Sequence, residues 1–358
     1  MKTHHWLAIP GTFFCLALLF QSLSAEPPAR VYQNQLRPIS RPKPLLADYP
    51  EFVQPVLESR HFEAPRLVDD AGATISVRAW RFSYNARGII EMPNHLDGSK
   101  TALIVVHPWG VDDGQGWRSP EPAGVAFGCT PEKNAAILKH SRTIINPLLR
   151  KWRDQVGLVL MSLPRDPDPI RTRLYRSMDY TPTSAERRQA AMDLADKLSS
   201  FEYRGQQIPD QIQLTGKPVV DYFRQFPGLD SSARYNNEGF WQLPIPVMKP
   251  IKVADQDVVM YDNEGYDRLK AFLQDNGIEH VLLCGYATDM CICSTTAGYE
   301  NLRKDFNVFL VGDATQSTLP ANTTARYATN QSLSYASLDL LITQVSWIKP
   351  LLRRTARR

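Results

Sequence analysis

From about residue 100 onward, short apolar runs alternate with longer amphipathic stretches, and few folds accept that order. Val281 to Cys284 is one such run. Runs that are apolar on both faces suit strands of a parallel sheet with helices on either side. A chain of 358 residues with 43% hydrophobic content can bury one sizeable core and still carry an extra module. In parallel sheets ligands gather beyond the carboxyl ends of the strands. His107, Lys249 and Cys291 fall at or near such ends, so a shared pocket is expected there.

Residues 281–302, VLLCGYATDMCICSTTAGYENL, carry the densest local signal. Val281 to Cys284 reads as a buried strand after the turn signal Asn276-Gly277, Gly285 opens a tight turn, and a helix is expected from about Met290. Cys291 thus stands where a strand hands over to a helix N-terminus, which favours a thiolate. A small buried apolar residue is the competing reading of such a cysteine.

Gly285 to Ile292, GYATDMCI, resembles the Gly-x-x-Thr-Asp-x-Cys-Val signature of the isochorismatase-like cysteine hydrolases. The likeness runs through Thr295 into 306–315. It also takes in 101–110 as a first strand, 143–165 as a first helix and second strand, and PIPVMKPIKV (244–253) as the lysine strand. It spans roughly residues 99–349. The resemblance implies an α/β fold, a three-layer α/β/α sandwich with a Rossmann-like parallel sheet, often oligomeric. It also implies an Asp–Lys–Cys triad that hydrolyses small molecules. In that triad the aspartate takes the thiol proton and the lysine balances charge. The thiolate attacks an amide-type carbon, and the oxyanion rests on the turn before the cysteine, at Tyr286 and Ala287 here. A cis peptide in the family falls between those two residues.

The chain departs from this pattern at the first strand. Where the family ends the strand in an aspartate, this sequence has Val105-Val106-His107-Pro108-Trp109, with Asp112 and Asp113 five and six residues beyond His107. His107 reads either as a substitute general base, with an ordinary pKa suited to neutral pH, or as a strand-end histidine in a silent relative. Lys249-Pro250 matches the family's Lys-Pro dipeptide and is preferred over Lys252 as the active lysine. Candidate substrate contacts are Trp109, Asp112, Asp113, Glu264 and Tyr266, with Asp262 and Asn263 as further polar groups near the pocket. No metal or other cofactor is expected: the segment 164–169 that would carry the ligands of the nicotinamidase branch holds Asp166 and Asp168 but no histidine.

Two functions from different classes follow. The first is an exported cysteine hydrolase, an amidase, cleaving a C–N bond in a small molecule through Cys291, with His107 as base and Lys249 as electrostatic partner. The second is a catalytically silent member that binds a small molecule or a partner protein in the same pocket.

The rest of the chain sets context. Residues 1–25 read as a signal peptide: Lys2, an apolar segment from Trp6 to Phe20, and small residues before cleavage near Ala25, giving a secreted or periplasmic protein with no stable membrane insertion afterwards. Residues 26–98 read as a proline-rich arm followed by a small β-rich extension, from the alternation in ATISVRAWRF (73–82) and RGIIEMP (87–93). Residues 99–349 form the hydrolase domain and 350–358 a basic tail. The net charge of +4 falls to about −1 once Lys2 and the four tail arginines are set aside. No nucleic-acid signature accompanies it, so the expected partners are a small-molecule substrate and a second copy of the chain. Cys129, Cys284, Cys291 and Cys293 remain after cleavage, too few for a disulfide framework. Asn322-Thr323-Thr324 forms a glycosylation sequon.

Overall fold

The computed structural model describes residues 30–33, 60–83, 85, 88–109, 131–201, 210–225 and 243–318. The expected signal peptide, Asp112, Asp113, Cys129, the sequon at Asn322 and the basic tail lie outside the described residues.

A five-stranded sheet organises the chain. Its strands are β5 (Thr101–Val106), β6 (Leu158–Leu163), β8 (Val258–Tyr261), β9 (His280–Tyr286) and β10 (Asn307–Gln316), in the order β10-β9-β5-β6-β8, every pair parallel. All six residues of β5 and of β6 are buried, which is why neither shows a polar-apolar alternation. Leu103 and Val105 join one core with Leu149, Met161, Leu194 and Leu198, while Ala102, Ile104 and Val106 join the other with Leu160, Leu269 and Leu273. The first core is covered by α1 (Pro131–His140), α2 (Asn146–Trp152) and α3 (Ser184–Ser199). The second is covered by α4 (Tyr266–Asp275), α5 (Cys291–Ser294) and α6 (Tyr299–Leu302). Helices on both faces of a parallel sheet make the α/β sandwich expected from the alternation. Each buried aliphatic side chain contributes roughly 1.5–3 kcal/mol. Among the described residues no helix is long and apolar enough to cross a membrane.

Before the sheet, β2 (Arg60–Glu63), β3 (Ile75–Ser83) and β4 (Gly88–Leu96) form a three-stranded sheet in the order β2-β4-β3. The alternating segments at 73–82 and 87–93 fall on β3 and β4, so the β-rich extension is present. Asp70 fastens it to the core: its Oδ2 accepts from the Asp97 amide at 2.6 Å and from His280 Nε2 at 2.9 Å. Farther out, β1 (Arg30–Gln33) pairs antiparallel with β7 (Gln211–Leu214).

Two local expectations change. The segment 244–253 makes no strand. Pro244, Pro246 and Pro250 remove three backbone donors in seven residues, which a sheet strand cannot spare, and the strand in this part of the chain is β8. The helix after the cysteine begins at Cys291, one residue after the expected start, and stops at Ser294. There the Thr295 hydroxyl donates to Cys291 O at 2.8 Å, and a threonine side chain that competes for a helix carbonyl in this way loosens the ladder.

Candidate active site

Three strands of the sheet end together at its carboxyl edge. At the end of β5, His107 is buried with φ of 43°, a left-handed conformation that a non-glycine residue adopts only under constraint. Its amide donates to Ser162 O at 3.0 Å and its carbonyl accepts from the Trp109 amide at 2.8 Å, so the chain turns sharply off the strand. At the end of β8, Asp262 opens a short 3-10 turn, with its carbonyl held by the Thr296 hydroxyl at 2.7 Å. At the end of β9 the chain passes through 287–290 to Cys291. The Tyr286–Ala287 peptide is cis.

His107 joins these ends. Its Nε2–H donates to Asp262 Oδ2 at 2.8 Å, and the Cys291 thiol lies within charge and hydrogen-bonding range of the same ring. Nδ1 is buried without a partner of good geometry, as is Asp262 Oδ1. Burial disfavours the imidazolium, but Cys291 and Asp262 beside it more than reverse that and raise the pKa from 6.5 to about 10. Cysteine, histidine and aspartate thus form one coupled set.

Because the folded pKa of His107 lies above its ordinary value, the stability it contributes is complete below about pH 6.5 and is lost as pH rises through about 10. Urea unfolding is expected to show a loss on the order of 5 kcal/mol across that window. A His107→Gln variant is expected to lose this component. A wild-type curve no steeper than the variant's would contradict the coupling.

The turn that carries Cys291 is fixed from several sides. The Met290 and Ile292 amides donate to Ala287 O at 3.0 and 3.1 Å, and the Thr288 amide donates to Gln316 O at 2.9 Å. Asp289 is buried, its two oxygens accepting from the amide and hydroxyl of Thr318 at 2.9 Å each. Gly285 has φ of +111°, and a Cβ there would sit 2.2 Å from Val106 O. Only glycine lets β9 pass this close to β5. Among the described residues no disulfide joins Cys284, Cys291 or Cys293. Cys284 is core, its thiol pushed up to about 12 by burial, and the Cys293 thiol donates to Thr288 O at 3.0 Å.

The other expected site residues are distributed differently. Trp109 is buried beside His107. Lys249 and Lys252 are both exposed, in the loop that replaces the expected lysine strand. The backbone of that loop does run past the site, with the Met248 amide donating to Pro108 O at 2.7 Å. Glu264 is spent on the fold: one oxygen accepts from the Tyr261 amide at 2.7 Å and the other pairs with Arg268 at 3.0 Å. The Tyr266 hydroxyl donates to Asp305 at 2.8 Å, in the turn leading into the amino end of β10, so it works at the opposite end of the sheet from His107. The partner of His107 is Asp262. In the sequence Asp262 is one polar group among several, because the pairing spans 155 positions and requires the strand order.

The segment after β6 does not fit a metal. Asp168 accepts from the Ile170 and Arg171 amides and pairs with the Arg171 guanidinium, while Asp166 accepts from Asn263 at 2.9 Å. Among the described residues the grouping with metal-ligand spacing is Asp70, Glu279 and His280, at the amino end of the sheet and tied up with Lys100.

Residues 248–337 match the model of the Isochorismatase domain. Among solved structures the chain is similar to the pyrazinamidase of Pyrococcus horikoshii in complex with zinc. The two are 17% identical over 67% of this chain and 95% of that one, with a TM-score of 0.31. Comparison with curated proteins gives no match.

Proposed function

We propose that this isochorismatase-like family member is a cysteine hydrolase that cleaves an amide-type C–N bond in a small molecule, exported through the signal-like segment 1–25. The observation that carries the reading is the 2.8 Å bond from His107 to Asp262, with Cys291 near enough to raise the pKa of the same imidazole. A cysteine is a competent nucleophile once a base takes its proton, and a base is effective once a third group fixes its orientation. Here Asp262 fixes Nε2, which leaves the buried Nδ1 to take the thiol proton.

In this mechanism the Cys291 proton passes to His107 Nδ1, giving a thiolate and an imidazolium balanced by Asp262. The thiolate attacks the carbonyl carbon, and the carbonyl electron pair moves onto oxygen. The Cys291 amide, first in its helix and without an intrahelical acceptor, receives that oxyanion together with the Ala287 amide. As the C–N bond breaks, the imidazolium gives its proton to the leaving nitrogen. Water then attacks the thioester with His107 again as base, releasing the acid. A cation stands at the end of β5 where the family has an aspartate, and an anion at the end of β8.

The test is acylation by p-nitrophenyl acetate. The expected result is a burst of p-nitrophenolate with one acetyl group on the peptide that carries Cys291, both absent in Cys291→Ser. Acetylation on Cys293 alone, or none, would overturn the reading.

A further inference from the structure

The turn before Cys291 is anchored by a side chain the mechanism does not use. Tyr286, the last residue of β9, is buried and turns its phenol toward the junction of α1 and α2. There five residues, Ser141–Ile145, form a π turn, with the Asn146 amide bonding back to Ser141 O. Pro147 has no N–H for an ordinary helical bond at this point, so the ladder widens. Such widened turns recur at functional sites.

The hydrogen bonds at this junction have a definite polarity. His140 Nε2 lies 2.7 Å from Asp313 O, a carbonyl that can only accept, so Nε2 carries the proton. Burial lowers the pKa of His140, more than the Asp313 carbonyl raises it, which favours the neutral ring. Nδ1 is therefore an acceptor, and the Tyr286 hydroxyl 2.7 Å away donates to it. The Tyr286 oxygen in turn lies 2.9 Å from Ser141 Oγ. Ser141 also lies 2.8 Å from Met248 Sδ, and the Met248 amide is the one that bonds Pro108 O next to His107. One buried cluster thus touches both the turn that leads to Cys291 and the loop that follows the base.

We propose that His140 is a positioning residue of the proposed hydrolase: through Tyr286 it holds the 286–291 turn where its amides meet the developing oxyanion. This rests on the cysteine-hydrolase reading above. Neither His140 nor Tyr286 meets the substrate. Their effect is on where the turn's N–H groups point, and small displacements of that kind carry large rate costs.

Two reagents separate this role from a structural one. Iodoacetamide alkylates a thiolate by displacement at a saturated carbon and needs no oxyanion site. p-Nitrophenyl acetate acylates the same sulfur through an oxyanion. Tyr286→Phe, checked for an unchanged melting curve, is expected to slow acetylation of Cys291 by about 10- to 100-fold and leave its alkylation unaltered. His140→Ala is expected to do the same. His140→Gln, whose amide can accept from Tyr286 and donate to Asp313 O, should restore most of the rate.

Equal slowing of both reagents would overturn the proposal, since the thiol rather than the turn would then be affected. So would an unchanged acetylation rate in Tyr286→Phe. A wild-type Cys291 that reacts with iodoacetamide no faster than in His107→Ala would overturn the hydrolase reading itself, and this inference with it.

Discussion

Replacing His107 with alanine is expected to slow turnover of an amide by about 10²–10⁴-fold, while alkylation of Cys291 at pH 7 falls by no more than about thirtyfold. The two numbers differ for a physical reason. An unassisted thiol is roughly 3% ionised at pH 7, so losing the imidazole can reduce the thiolate population only to that floor. Amide cleavage suffers further. His107 must also protonate the leaving nitrogen and then activate water, and the variant has nothing at the end of β5 to do either. Raising the pH should therefore restore alkylation in His107→Ala but not amide cleavage. Steady-state kinetics with a small amide and timed iodoacetamide labelling, both from pH 6 to about 10, make the comparison. Restoration of both at high pH would reduce His107 to a source of charge. Restoration of neither would point to a general loss of structure.

How far the sequence reaches depends on whether a feature is local. The position of Cys291 after a buried strand and a tight turn is local, and GYATDMCI announces it. His107 is legible for the same reason, since the apolar run 102–106 ends on it. The parallel sheet follows from runs that stay apolar on both faces. Asp262 is not local. It reaches His107 because β6 alone separates β5 from β8, a fact of strand order that no stretch of sequence contains. The lysine segment misled in another way. Lys249-Pro250 matches a dipeptide, but three prolines keep 244–253 from entering the sheet, and β8 forms downstream at Val258–Tyr261. Glu264 and Tyr266 looked like pocket residues because they lie near a strand end in sequence. Their side chains instead serve the 3-10 turn and the far end of the sheet.

The pairing of His107 with Asp262 leads to the sharpest expected result, a charge exchange. His107→Asp alone would set two carboxylates against each other in a mostly buried site, and Asp262→Lys alone would face a cation with a protonated imidazole. Each single change is expected to destabilise the fold by about 3–5 kcal/mol, the usual cost of leaving a buried charge without its partner. Together they restore opposite charges. The longer lysine stem also spans the gap left by the shorter aspartate. The double variant is therefore expected to be more stable than the sum of the singles predicts, with a favourable coupling of about 0.5–3 kcal/mol from urea unfolding of all four proteins. Its aspartate would stand where the resemblance places the proton acceptor for the cysteine. Acetylation of Cys291 by p-nitrophenyl acetate should then recover above the level of either single variant. A coupling of zero would mean that Asp262 does not answer the charge on His107. In that case the ion pair at the ends of β5 and β8 would be a packing contact, and Cys291 would have to find its base elsewhere.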